Sequence, residues 1–360
     1  MTEKLKTLMD RAADADFAAL DLDAVTAAGD RVVRRRRAVM GVASLAAVAV
    51  LGSGVAVLAS GSGDGADDRT RWTGVPVDGS GMSWGVGEEL HTPVGSVDVG
   101  HLVRAHVRTR VGFVTVDDAA NVWSVIGGEV RPIGQTQATP HLVSDTETGQ
   151  VAWLEPTPGG VRAVVHDQSL DRRVRSVPVG KDTRVVALDS GALYVERDGK
   201  YDVIDVESGD QWQIGSSESG AELLAVENGA LVWSGDDRYL VERDATAPVV
   251  IDGVAGSVAM LSPDGSRVTF DADELRVYDT MTGKRLEIGV DDRVFASGYE
   301  WLDNDRVAVI ASRSGTGPVE LLACEVSADT CVQVVPDLGG FDELMAGGFS
   351  LPVGTSLEDE

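Results

Sequence analysis

The chain has 360 residues, enough for two average domains or for one large all-β domain, and either buries a substantial core. Its formal charge of −27 is unevenly placed: residues 61–360 hold 23 Lys and Arg against 51 Asp and Glu, whereas residues 1–37 hold eight against seven. A large part this acidic repels nucleic acid and anionic lipid at long range, which excludes nucleic acid as a partner. The remaining uses of the charge are solubility and attraction to cations or a basic partner.

Residues 1–37 place Leu5, Leu8, Met9, Ala12, Ala13, Phe17, Leu20 and Val25 at amphipathic-helix spacing, with Gly29 as a stop. So short a segment has no independent core. It reads as a cytoplasmic tail, either a loosely helical juxtamembrane piece or a docking helix for a cytoplasmic partner. Next, Arg34, Arg35, Arg36 and Arg37 abut a run of 23 residues, Ala38–Ser60, without a charge. As a helix this run reaches about 35 Å, enough for a hydrocarbon core of about 30 Å. The arginines before it and Asp64, Asp67 and Asp68 after it leave the N-terminus in the cytoplasm and the large domain outside.

Two other readings of the run stay open. It exceeds the apolar region of about 7 to 15 residues typical of a cleaved signal, although "VLAS" at 57–60 offers small residues for cleavage. A buried helix of a soluble protein would show polar positions somewhere along its length. The expectation is an uncleaved signal anchor in the plasma membrane over residues 38–60.

"GSGDGADDRTRW" opens a flexible linker, residues 61–85. From residue 86 to 353 the texture is short apolar runs of four to eight residues separated by Gly, Asp, Ser and Pro, as in a many-stranded β protein. "VGFVTV", "QVAWLE", "ALYVE", "ALVWS", "RVTFD", "RVAVI" and "GFSLPV" superpose with Val114, Trp153, Tyr194, Trp233, Phe270, Val309 and Ser350 equivalent. The gaps are 39, 41, 39, 37, 39 and 41 residues. That step matches one four-stranded propeller blade and predicts seven blades, or six if one repeat is an irregular insertion. The turns "SDTETGQ", "LDSGA", "VENGA", "SPDGSR" and "LDNDR" suit the reversal between a blade's first two strands. "YDVIDVESGDQWQI" and "LRVYDTMTGKRLEI" suit its outer pair. At the ends, two strands after Val309's repeat and two at 87–100 are expected to share the closing blade, leaving residues 354–360 as an acidic tail.

"LSPDGSRVTF" followed by "LRVYDTMTGK" resembles the WD-like repeats of TolB-like β-propellers, over about residues 86–353. The layout of short tail, arginine cluster, single span and divergent propeller is similar to a group of membrane proteins of high-GC Gram-positive bacteria. The resemblance implies a propeller fold and leaves function open, because propellers host binding proteins, lyases, cyclases and hydrolases alike.

Cys324 and Cys331 flank a short turn in the sixth repeat, so their side chains face each other if it is a hairpin. Outside the membrane a disulfide is expected, its loop too short for a large entropic gain; free buried thiols are the alternative. His91, His101, His106, His141 and His166 lack metal-ligand spacing, and no nucleophile elbow, phosphate loop or zinc motif occurs. No catalytic residue, cofactor site or metal site is assigned. Calcium on the acidic turns 271–274, 291–293 and 303–305 is the one cofactor candidate, against solvated turns. Three functions follow: an extracytoplasmic scaffold that binds or senses an unknown protein or small ligand; a propeller enzyme with its site at the central channel; and an anti-sigma-like regulator acting through the tail.

Overall fold

The computed structural model describes residues 81–357, apart from 217, 219, 236–237, 244–245, 253–257, 272–274, 315–316 and 347. The tail, Arg34–Arg37, the expected span 38–60 and nearly all of the linker lie outside the described residues. Among the described residues no helix is long and apolar enough to cross a membrane.

Twenty-eight strands form seven antiparallel four-stranded sheets among the described residues. The chain enters through β1–β3 (Trp84–Val86, Glu89–Thr92, Gly95–Asp98). Blade 1 is β4–β7 (Ala105–Arg108, Phe113–Val116, Asn121–Ile126, Glu129–Gln135) and blade 2 is β8–β11 (Leu142–Ser144, Gln150–Thr157, Gly160–Asp167, Arg172–Val179). Blade 3 is β12–β15 (Thr183–Asp189, Ala192–Arg197, Lys200–Asp205, Gln211–Ile214) and blade 4 is β16–β19 (Glu222–Glu227, Ala230–Ser234, Arg238–Arg243, Val249–Asp252). Blade 5 is β20–β23 (Val258–Leu261, Arg267–Asp271, Leu275–Asp279, Arg285–Leu286) and blade 6 is β24–β27 (Phe295–Trp301, Arg306–Ser312, Val319–Glu325, Thr330–Val335). After helix α1 (Phe341–Ala346), β28 (Phe349–Ser350) completes the sheet of β1–β3 as blade 7. The first strands of successive sheets touch one another, so they form the inner ring of a seven-bladed β-propeller.

The apolar residues explain why the chain adopts this ring. Seven buried clusters are present among the described residues, and each joins two neighbouring blades. Val114 of blade 1 packs with Trp153 of blade 2, and Tyr239 of blade 4 stacks on Phe270 of blade 5 with ring centroids 4.0 Å apart. A sheet covered on both faces reads as a continuous apolar run, and β25 has six buried residues in succession. Val114, Trp153, Tyr194, Trp233, Phe270 and Val309 all lie on second strands, as their spacing predicts. Tyr194 is half-buried and the other five are buried.

Ser350 departs from that register. It lies on β28, a first strand, and the second strand of its blade is β1, paired through Gly85↔Ser350 and Val86↔Phe349. The ring therefore closes with one C-terminal strand on three N-terminal ones, where the repeat predicts two on two. The connection after β27 contains α1, and this extra length carries the 41-residue step onto the first strand instead of the second. The folded unit also exceeds 86–353: Met82 and Ser83 are buried at its start, and Ser356 is buried in what reads from sequence as an acidic tail.

The outer-pair hairpins are β14–β15 and β22–β23, with Gly209 and Gly283 at φ +81° and +68° supplying the left-handed turn residue. In blade 6, Cys324 faces Cys331 in register across β26–β27 with Cα atoms 4.0 Å apart and the sulfurs bonded.

Candidate functional site

Three of the polar features among the described residues bear on where a site lies. On one face, the turns between first and second strands are linked blade to blade. Asp145 accepts hydrogen bonds from Glu147 N and Thr148 N in its own turn and, at 3.2 Å, from Ser190 N of blade 3. Asp189 accepts from Asn228 N at 3.1 Å and Gly229 N at 3.2 Å, while Asn228 Nδ2 donates to the Asp264 carbonyl at 3.0 Å. Asp264 N then donates to Asn304 Oδ1 at 3.0 Å. Burial, reinforced by the charges of Asp189, Asp145 and Glu147, pushes the nearby Glu227 carboxyl up to about 9, so it keeps its proton at neutral pH. Asp145 and Asp189 act on backbone N–H groups, as turn residues do.

The acidic turns considered for calcium are similarly engaged where they are described. Asp303 accepts from Asp305 N and Arg306 N, both at 2.8 Å, and Asp305 pairs with Arg267 and accepts from Ser327 N at 3.0 Å. Asp292 pairs with Arg293, and residues 272–274 lie outside the described residues. Among the described residues no group of three or more His, Cys, Asp or Glu is placed to hold a metal ion.

The second feature is the seam where the ends of the chain meet. His106 on β4 is fully buried, with Nδ1 3.1 Å from Ser350 Oγ, and burial drives its pKa down to about 3. Beyond β28 the chain continues as a strap over the inner strands. Gly354 N donates to the His106 carbonyl at 3.0 Å, Leu142 N donates to the Gly354 carbonyl at 2.9 Å, and Thr355 bridges His141. Close by, Arg108 Nε lies 3.0 Å from Glu300 Oε1 and Arg108 Nη1 donates to the Gly81 carbonyl at 2.5 Å.

Glu300 is only 8% exposed, and burial raises its carboxyl to about 7, with Arg108 and Ser83 N–H opposing the rise. In the unfolded chain the group titrates near ~4.3. Because the folded state keeps the proton in the interval between, this contribution to stability is complete below pH ~4.3 and is lost as pH rises through about 7. Wild type should therefore lose up to about 3 kcal/mol relative to Glu300→Gln between pH 4.5 and 8. Paired thermal melts across that range check it. Parallel curves would show that the carboxyl ionises freely in the fold. His106 and His141 titrate alike in both proteins and cancel from the difference.

The third feature is a cleft of about 180 Å³ lined by Thr136, Gln137, Thr139, His141, Leu154, Thr183, Arg184 and Val185. The connection from β7 to β8 supplies one wall and the start of β12 the other, so the cleft sits at the inner rim of blades 2 and 3. Thr183 is 7% exposed, and its Oγ1 is buried without a hydrogen-bond partner. Burial, and then the Arg184 charge, lowers the His141 pKa to about 4, so its ring is neutral at pH 7. Arg184 itself is compensated: Nη2 lies 2.7 Å from Glu222 Oε1 and Nε 3.8 Å from Glu196 Oε2.

Of the five histidines, the structure brings only His141 to the cleft. His91 stacks on Trp84, His101 stacks on Trp123 and bonds Thr115 Oγ1 at 3.0 Å, and His166 lies beside Trp153. Thr183, Arg184 and the strap carry no motif that a linear search registers.

No family model matches this chain, and no curated protein matches it. Solved propellers do. Hsv2 of Kluyveromyces lactis is 14% identical with a TM-score of 0.44, covering 62% of this chain and 74% of its own. A functionally unknown protein from Desulfotomaculum acetoxidans is 10% identical with a TM-score of 0.45, covering 71% and 96%. Kluyveromyces lactis Atg21 bound to the coiled coil of Atg16 is 12% identical with a TM-score of 0.47, covering 66% and 86%. At such identities none of these likenesses bears on what this chain binds.

Proposed function

We propose that this chain is a membrane-anchored binding protein of the TolB-like type. A single span over Ala38–Ser60 holds the acidic propeller outside the plasma membrane, and residues 1–37 face the cytoplasm. The binding half of the reading is carried by the inner-rim cleft, a concave site with a buried unpartnered hydroxyl and a neutral imidazole. The blades commit their apolar faces to one another, which leaves the rims and this cleft for a protein or ligand. The side of the membrane is supported by Arg34–Arg37 ahead of the apolar run and by the Cys324–Cys331 bond, which persists in oxidising compartments.

The lysines make the topology testable. Lys181, Lys200 and Lys284 are exposed on the propeller, while Lys4 and Lys6 belong to the tail. A membrane-impermeant amine reagent applied to intact cells should label the first three and spare the last two. Labelling of Lys4 and Lys6 alone, or of none of the five, sinks the proposed orientation. Capture of the intact chain from membranes tests binding: a partner retained in fixed proportion is expected.

A further inference from the structure

The cleft at the inner rim asks for a ligand of definite chemistry. At about 180 Å³ it is smaller than the ~300 Å³ at the low end of pockets for drug-sized ligands, so its occupant is a single ring-sized group. Leu154 and Val185 give it an apolar wall, while Thr183, Thr139, Gln137 and His141 give it hydrogen-bonding side chains. Each of these polar groups both donates and accepts: a hydroxyl does so through one proton and two lone pairs, an amide through NH₂ and C=O, and a neutral imidazole through its two nitrogens. Hydroxyl groups on a ligand match that pattern because they too do both.

Charge narrows the class further. Arg184 is held by Glu222 and Glu196, so it offers an incoming anion little, and the surrounding domain is strongly acidic. A cation finds no carboxylate among the lining residues to hold it. A neutral ligand needs no such partner. Thr183 is the decisive residue: it lines the cleft, its buried hydroxyl has no partner in the protein and so costs stability, and a rotation about its χ1 that turns Oγ1 to the cleft would let a ligand hydroxyl bond it.

We propose that this cleft binds one neutral polyhydroxylated ring, a single sugar unit, either free or at the end of a glycan. Thr183 Oγ1 and the His141 ring bond its hydroxyls, and Leu154 and Val185 pack on its C–H face. The strap holds the site in shape, because Thr355 pairs with His141. The inference rests on the reading of the propeller as a binding module, yet the two fail separately: capture from membranes reports a partner of the whole chain, and sugar titration reports only the cleft.

The test is titration of the purified full chain, in a detergent whose headgroup carries no sugar, with methyl glycosides of glucose, galactose, mannose and N-acetylglucosamine. Glucuronate serves as the charged control. At least one glycoside is expected to bind with a Kd of about 1–10 mM, the range for a ligand of this size. Thr183→Val keeps the side-chain shape and removes the hydroxyl. It should weaken binding about tenfold or more while raising the melting temperature, because the unbonded group is gone. Thr183→Ser should retain binding. A trisaccharide ending in the preferred unit separates the sources: equal or tighter binding marks a glycan end, and exclusion marks a free sugar. Absence of binding by all four glycosides, unchanged affinity in Thr183→Val, or glucuronate binding as tightly as the neutral sugars overturns the proposal.

Discussion

A chain ending at Gly348 is expected to form no closed propeller. The deletion removes only two strand residues, but β28 is the inner strand of blade 7 and meets the chain's first strand there. Phe349 and Leu351 leave a buried cluster that also holds Met82, Trp84, Tyr299 and Leu344, at a cost of about 1.5–3 kcal/mol for each large apolar side chain. Ser350 Oγ leaves His106 Nδ1, and His106 Nε2 already lacks a partner, so the whole imidazole is stranded in the interior. The strap goes too, with its backbone bonds to His106 and Leu142. Summed, the loss approaches the whole stability of an ordinary domain, about 5–15 kcal/mol. The truncated chain should lose a cooperative thermal transition in its tryptophan fluorescence and be digested quickly by protease. A wild-type melting temperature in the truncated protein would mean that the ring is held shut elsewhere.

The same closure shows why some of this architecture is written in the sequence and some is not. Seven blade-to-blade interfaces pose nearly the same packing problem, and six solve it with an apolar second-strand residue at a step of about 39. Repetition makes them visible. The closure occurs once, so it has no period to betray it, and α1 shifts the phase at the only place where the count depends on it. The turn acids were legible as turns because Asp, Asn and Gly have local reasons to be there. Their reach from one blade to the next was not, since it depends on the curvature of the ring. Thr183 opens a strand, where a β-branched residue needs no explanation, and Glu300 lies in "GYEWLDND", where an acid suggests solvent. What distinguishes both is burial, which arises only when other blades close over them. The run Ala38–Ser60 is the reverse case: strongly patterned in sequence, and outside the described residues.

Gly354→Ala is expected to be the most damaging glycine-to-alanine change among the described residues. Gly354 lies at φ +80°, where an L side chain costs about 1–2 kcal/mol. The new Cβ would overlap the Leu142 carbonyl oxygen and stand 3.0 Å from both the Leu142 carbonyl carbon and Val107 Cγ1. Backbone on one side and a core valine on the other leave nothing flexible to move, so the strap must lift. Lifting costs the hydrogen bonds to His106 and Leu142, each worth about 1 kcal/mol net. Together these terms give about 3–4 kcal/mol. Gly159→Ala is the matched control: no atom lies within 4 Å of the Cβ it would add, so its melting temperature should stay near wild type. Because Thr355 follows Gly354 and pairs with His141, Gly354→Ala should also disturb the cleft, whereas Gly159→Ala should leave it intact. If both variants melt alike, the strap is not seated between the inner strands of blades 1 and 2. If Gly354→Ala alone is destabilised, the C-terminal segment belongs to the propeller's inner wall, and the cleft depends on the closure of the ring.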